Sequence, residues 1–256
     1  MAFYRPDSDL NQALAAVLED CKATRPGLDE QLSITWLVYD ASPIDLAAGL
    51  DSQDVWSLPI RGAAHRSGQQ RYPASVVKLA YAMAVEQWLA RDLLLESPEL
   101  RRAMQDMIGD SSNDATSLVM DLLSGTTSGP ELPPDPFSSW ARQRQLVNQW
   151  FASLGWPEWQ GSNACQKTWG EGPYGRERQF YGAEMENRNR LSTDITARML
   201  HAVLTGAWVS PLASARLRDL LSRSLDLAER KADPENQVDG FLGGGLPVGS
   251  RLWSKA

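Results

Sequence analysis

Apolar residues recur at helical spacing over 9–23, "DLNQALAAVLEDCKA", behind an acidic first turn, and predict an amphipathic helix. The pattern changes at 32–40, "LSITWLVYD", whose β-branched and aromatic content predicts a buried strand. Residues 41–72 are mixed, with "DVWSLPI" a candidate strand and "GAAHRSGQQ" turn-like. A helix is predicted from about Ser75 to Leu94, apolar on most positions of its first half, with Pro73 just ahead of it as a start signal. Two helical patterns fill 99–124 around "GDSSND", and Gly, Pro, Ser and Thr make 125–138 a loop. The next helix, "WARQRQLVNQWFASLGW", closes near Gly155. From 157 to 190 the chain is polar and glycine-rich, and so long a loop in a compact domain is functional or disordered. Helices resume at "STDITARMLHAVLTG", capped by Ser192 or Thr193, and at "SPLASARLRDLLSRSL". "VDGFLGGGLPVGSRLWSKA" is turn-rich and leads into a short strand. Strands at both ends of a helical middle predict an α/β (α+β) fold, an antiparallel sheet with flanking helices plus an all-helical subdomain. The segments are 1–72 and 206–256 for the sheet part and 73–205 for the helical part.

Composition narrows the function more than the fold. With 256 residues, 43% hydrophobic and 22% charged, the chain is an ordinary globular one. A net charge of −7 opposes binding to a phosphate backbone, so no nucleic-acid partner is expected. No apolar run approaches about 18 residues, so no membrane span is expected. The start, "MAFYRPDSDL", lacks a signal-peptide core, which places the chain as written in the cytoplasm, or in the periplasm if the N-terminus has been trimmed. Cys21 and Cys165 read as plain thiols, with one bridge the alternative. His65 and His201 fit no metal-ligand pattern, so neither a metal nor another cofactor is expected, and any histidine triad must use one of them.

Against this background "PASVVK", 73–78, stands out. Ser75 could merely cap a helix, and Lys78 could snorkel from an apolar face. Yet lysine is scarce here, five (22, 78, 167, 231, 255) against twenty arginines, and Lys78 has no acidic residue within a helical turn. Residues i and i+3 share a helix face. Burial lowers a lysine's pKa and makes it a usable base, and a serine hydroxyl needs such a base to become a nucleophile. A second element, Ser111, Ser112 and Asn113 in "GDSSNDATSLVMDLL", reads as a cap or as S-x-N. The third is Lys255 in "WSKA", on its own a surface lysine.

In the order S-x-x-K, S-x-N, K-x, the chain resembles class A β-lactamases and penicillin-binding serine hydrolases over most of 10–256. The resemblance implies Ser75 as the acylated nucleophile, Lys78 as its base, Ser111 as proton relay, Asn113 as a contact of substrate and Lys78, and Lys255 with Ala256 as the carboxylate-binding end of the site. It implies a small-molecule partner, a β-lactam or related amide or ester, and an Ω-like loop at 157–190. It leaves the oligomeric state open.

Four features depart from the family pattern. Ser112 stands where class A enzymes have aspartate. The 36 positions from Ser75 to Ser111 are fewer than usual, which removes an aromatic gate. Ala256 replaces a hydroxyl residue. No E-x-x-L-N occurs in the loop, and counting back from Ser192 makes Glu177 the candidate for activating the deacylating water, with Glu171 and Glu184 behind it. The chain is also expected to end before the family's last strands and helix. The alternatives are a penicillin-binding DD-peptidase or esterase that deacylates slowly, and a catalytically silent binding protein of the same fold.

Overall fold

A computed structural model describes residues 3–51, 54–233, 238, 246–247 and 249–256. The glycine-rich stretch expected to approach Lys255 lies largely outside the described residues.

The N-terminal strands β1 (Arg5–Pro6), β2 (Ile34–Val38) and β3 (Arg61–His65) form one sheet in the order β1-β3-β2. β2 and β3 run antiparallel from Ile34↔His65 to Val38↔Arg61, while the short β1 lies parallel to β3. The helix Ser8–Thr24 packs on β3, and its N-cap Asp7 accepts from the amides of Asp9 and Leu10. β2 is half-buried rather than buried, because it is an edge strand of this sheet, and Trp36 remains 38% exposed. β3 claims residues expected to be a turn, while the candidate strand before it forms a 3-10 turn at Asp54–Ser57. Small residues let β3 sit close to its neighbours. A Cβ at Gly62 would lie 2.5 Å from Tyr4 Cδ2 and 3.0 Å from both Leu37 Cδ2 and the Trp36 carbonyl, so glycine marks a close approach within the strand.

The helix Val77–Ala90 is the axis of the molecule. Residues 77 to 85 are all at most 1% exposed, and a helix apolar on every side has to be buried. Helices Pro98–Ile108, Asn113–Ser124 and Pro211–Leu221 pack around it. The axial helix is shorter than expected, ending at Ala90 with Arg91 as its cap. The loop after Ser124 is also shorter than expected, because Pro134 starts a helix that runs to Arg144, followed by another at Leu146–Ser153.

The 157–190 segment is ordered chain. It contains a 3-10 turn at Pro157–Trp159 and a helix at Gly175–Tyr181, and Asn163 bridges Arg190. Residues 163–168 are buried despite their polarity. Their backbone is held by side chains: Asn189 Oδ1 accepts from the Cys165 and Gln166 amides at 3.0 and 2.9 Å, and Asn148 Oδ1 accepts from Ala164. Here hydrogen bonding replaces the apolar packing whose absence made the segment read as a loop. At the other end β4 (Ser222–Arg223) pairs antiparallel with β5 (Leu252–Trp253), just after which Lys255 reaches Ser111 at the start of the Asn113–Ser124 helix.

Candidate active site

Ser75 sits in the 3-10 turn Ala74–Val76 that runs directly into the Val77–Ala90 helix. Ala74, just before it, has φ +46°, and Ser111 has φ +61°. Non-glycine residues in this region are sparsely populated conformations, so the backbone is held against its preference on both sides of the site. Ser75 is half-buried, and among the described residues its hydroxyl has no hydrogen-bond partner.

Lys78, one turn on, is 0% exposed. Its Nζ donates to the Ser111 carbonyl, to Ser111 Oγ at 3.2 Å and to Asn113 Oδ1 at 2.9 Å. All three partners are neutral oxygens, and burial pulls the ammonium down to a pKa of about 8. The S-x-N segment divides its labour. Ser112, the middle residue, is the helix cap and accepts from the Ala115 amide at 3.2 Å, which leaves Ser111 and Asn113 to face Lys78.

Lys255 Nζ donates to the same Ser111 Oγ at 2.8 Å and to the Ala256 backbone oxygen. Its pKa falls to about 7, first through burial, then through the charges of Lys78 and Arg223. One hydroxyl therefore lies between two amines. When both are ammonium it can only accept; when either is neutral it can donate to that one, which is what a proton relay requires.

Two further residues belong to this cluster and were missed in the sequence. Thr168 Oγ1 donates to Asn113 Oδ1 at 2.8 Å, fixing the acceptor that Lys78 uses. Arg223 on β4 donates to the Ile108 carbonyl at 2.7 Å and adds positive charge beside Lys255. Neither sits in a motif, and only the fold of the 157–190 segment and the β4–β5 pairing bring them in.

Glu177 lies in a different cluster. It is fully buried on the Gly175–Tyr181 helix, ion-paired to Arg144, accepting from Ser128 Oγ at 2.9 Å and 3.8 Å from Lys167 Nζ. Asp121 completes the group, 2.8 Å from Lys167 and 3.3 Å from Arg144. Among the described contacts none joins Glu177 to Ser75, Lys78 or Ser111. Glu171 and Glu184 are exposed. The histidines are elsewhere too: His65 Nε2 meets the Asp29 carbonyl, and His201 stacks on Tyr39, whose hydroxyl bonds its Nδ1. Cys21 and Cys165 are free thiols. Among the described residues no group of three or more His, Cys, Asp or Glu could hold a metal ion, and no helix is long and apolar enough to cross a membrane.

A family model described as "Beta-lactamase enzyme family" matches residues 96–230, just over half of the chain. The chain belongs to the β-lactamase enzyme family. At that level it is a β-lactamase-like serine hydrolase with a small-molecule substrate. The family match spans Ser111, Asn113, Thr168 and Glu177, while Ser75, Lys78 and Lys255 lie outside it and enter the site through the fold. No curated protein and no solved structure matches the chain.

Proposed function

We propose that this β-lactamase-family chain opens β-lactam amides of the class A type through an acyl-Ser75 intermediate. The observation that carries the reading is the convergence of Lys78, one helical turn after Ser75, and Lys255 on the Ser111 hydroxyl. With a pKa of about 8, roughly a tenth of Lys78 is neutral at pH 7, enough to act as a base. Neutral Lys78 takes the Ser75 hydroxyl proton as Oγ attacks the amide carbon. The proton then passes through Ser111 to the amide nitrogen as the C–N bond breaks, leaving an ester on Ser75. The Ser75 amide, at a helix start where N–H groups lack intrahelical partners, supplies one oxyanion donor. Asn113 orients the substrate amide, and Lys255, Ala256 and the nearby Arg223 receive its carboxylate.

A second reading has a specific observation behind it. Hydrolysing the ester requires a base for water, and Glu177 is already engaged by Arg144, Ser128 and Lys167. This favours slow release, as in a penicillin-binding peptidase or esterase. Intact mass followed over time with excess benzylpenicillin separates the cases. An adduct that forms and disappears as drug is consumed supports turnover. A persistent adduct supports the slow-release enzyme, and no adduct sinks acylation of Ser75 by β-lactams and leaves an ester substrate or a binding module.

A further inference from the structure

Beside the buried run 163–168 lies a recess of about 170 Å³, lined by Tyr72, Gln166, Lys167, Trp169, Tyr181 and Arg188, among others. The run has two faces. Thr168 turns its hydroxyl to Asn113, whereas Gln166 lines the recess. The Gln166 backbone is satisfied, its carbonyl accepting from Tyr81 OH at 2.6 Å and its amide donating to Asn189 at 2.9 Å. Its side chain is not: Gln166 is 3% exposed, yet neither Nε2 nor Oε1 has a partner, and the buried Trp169 Nε1 has none either. Buried polar groups are nearly always hydrogen-bonded, and an orphan costs about 1–3 kcal/mol, so three around one recess describe a site shaped for a ligand.

The charge identifies the ligand class. No acidic residue lines the recess, in a chain whose net charge is −7. Lys167 is already matched by Asp121 and Glu177, but Arg188 lies over the Tyr72 ring at 4.2 Å with no ion pair among the described residues. Trp169 N–H and the Arg188 guanidinium are both donors and suit a carboxylate, since planar guanidinium groups match that geometry. The Gln166 amide, one donor and one acceptor side by side, is complementary to another amide. The Tyr72, Tyr181 and Trp169 rings wall the space between. We infer that this recess binds a small carboxylate carrying an adjacent amide, of the N-acyl amino acid kind, separately from the lysine site.

The test follows the indole N–H signals of the ten tryptophans in a ¹⁵N-labelled full chain during titration with N-acetylglycine. One signal should move to saturation, and it should be the one that Trp169→Phe deletes. Arg188→Gln, at a half-exposed position that leaves the core intact, should raise Kd about tenfold or more, as loss of a hydrogen bond to a charged group does, and Gln166→Met should do the same. N-acetylglycinamide, which lacks the charge, should bind at least about tenfold more weakly. No saturable shift, a shift confined to other indoles, equal binding of the neutral amide, or an unchanged Kd in Arg188→Gln would overturn the assignment. So would loss of binding in Lys255→Gln with retention in Arg188→Gln, which would place the carboxylate at the lysine site.

Discussion

Two buried polar clusters, one around Lys78 and Ser111 and one around Arg144 and Glu177, differ in how their cations are matched. In the first, Lys78 meets only the neutral oxygens of Ser111 and Asn113, and Lys255 shares Ser111 with it. In the second, Arg144 and Lys167 are matched by Asp121 and Glu177. A cation without a carboxylate is easier to deprotonate, and burial pushes Lys78 toward the base form that acyl transfer needs. A matched cluster instead locks chain segments together, and here it ties the loop after Ser124 to the 157–190 segment. The same burial thus leaves one lysine among neutral oxygens and ties the other into ion pairs.

The largest expected effect is Ser75→Ala, which should abolish covalent labelling by benzylpenicillin in intact mass spectra; residual labelling at Cys21 or Cys165 would undo the assignment. Lys78→Ala should slow acylation by about 10²–10⁴, the usual contribution of a general base, with far-UV circular dichroism unchanged. If the rate holds, Lys78 is no more reactive than Lys167 and the contrast fails. Glu177→Gln tests the other side. Leaving Arg144 buried with less compensation should cost about 3 kcal/mol of stability, read by denaturant unfolding, without lengthening the life of an acyl-enzyme. A stable protein with a trapped adduct would instead give Glu177 the water-activating role.

Acylation should also accelerate as pH rises through about 8, because Lys78 must lose its proton to serve as base and its pKa lies there. Pre-steady-state rates that are flat between pH 6 and 9 would count against it. The smallest effect belongs to Thr168→Val, which removes one donor from Asn113 and should slow acylation severalfold, consistent with about 1 kcal/mol for a single hydrogen bond. Rates equal to those of the unmodified chain would detach the 157–190 segment from the site.

The helices were legible in the sequence where the signals are local. Apolar spacing and caps located Ser8–Thr24, Pro98–Ile108, Asn113–Ser124 and Thr193–Leu204, and the Ser192 cap bonds the Ile195 amide as its position implied. The largely apolar run after Ser75, broken by Lys78, announced a helix with no exposed face over its first half. Errors fell where contacts are distant: β3 lay in a turn-like stretch because its Gly62 sits against Tyr4 and Leu37 and serves closeness, not β-propensity. The polar 163–168 run looked like open loop because its order comes from Asn148 and Asn189, which no window of sequence connects to it.

Residue order alone determined the site's vocabulary: a serine and a lysine on one helix face, an S-x-N opening another helix, and a lysine near the chain's end. The first two depend on spacing of three residues or fewer, which helical geometry converts directly into proximity. The tertiary structure decided what surrounds each charged group. Whether a lysine becomes a base or a strut depends on which oxygens surround it after burial, and those come from residues 33 to 144 positions away. It likewise decided that Glu177 faces Arg144 and that Gln166 lines a recess, since electrostatic environment is a property of packing and not of neighbours in sequence.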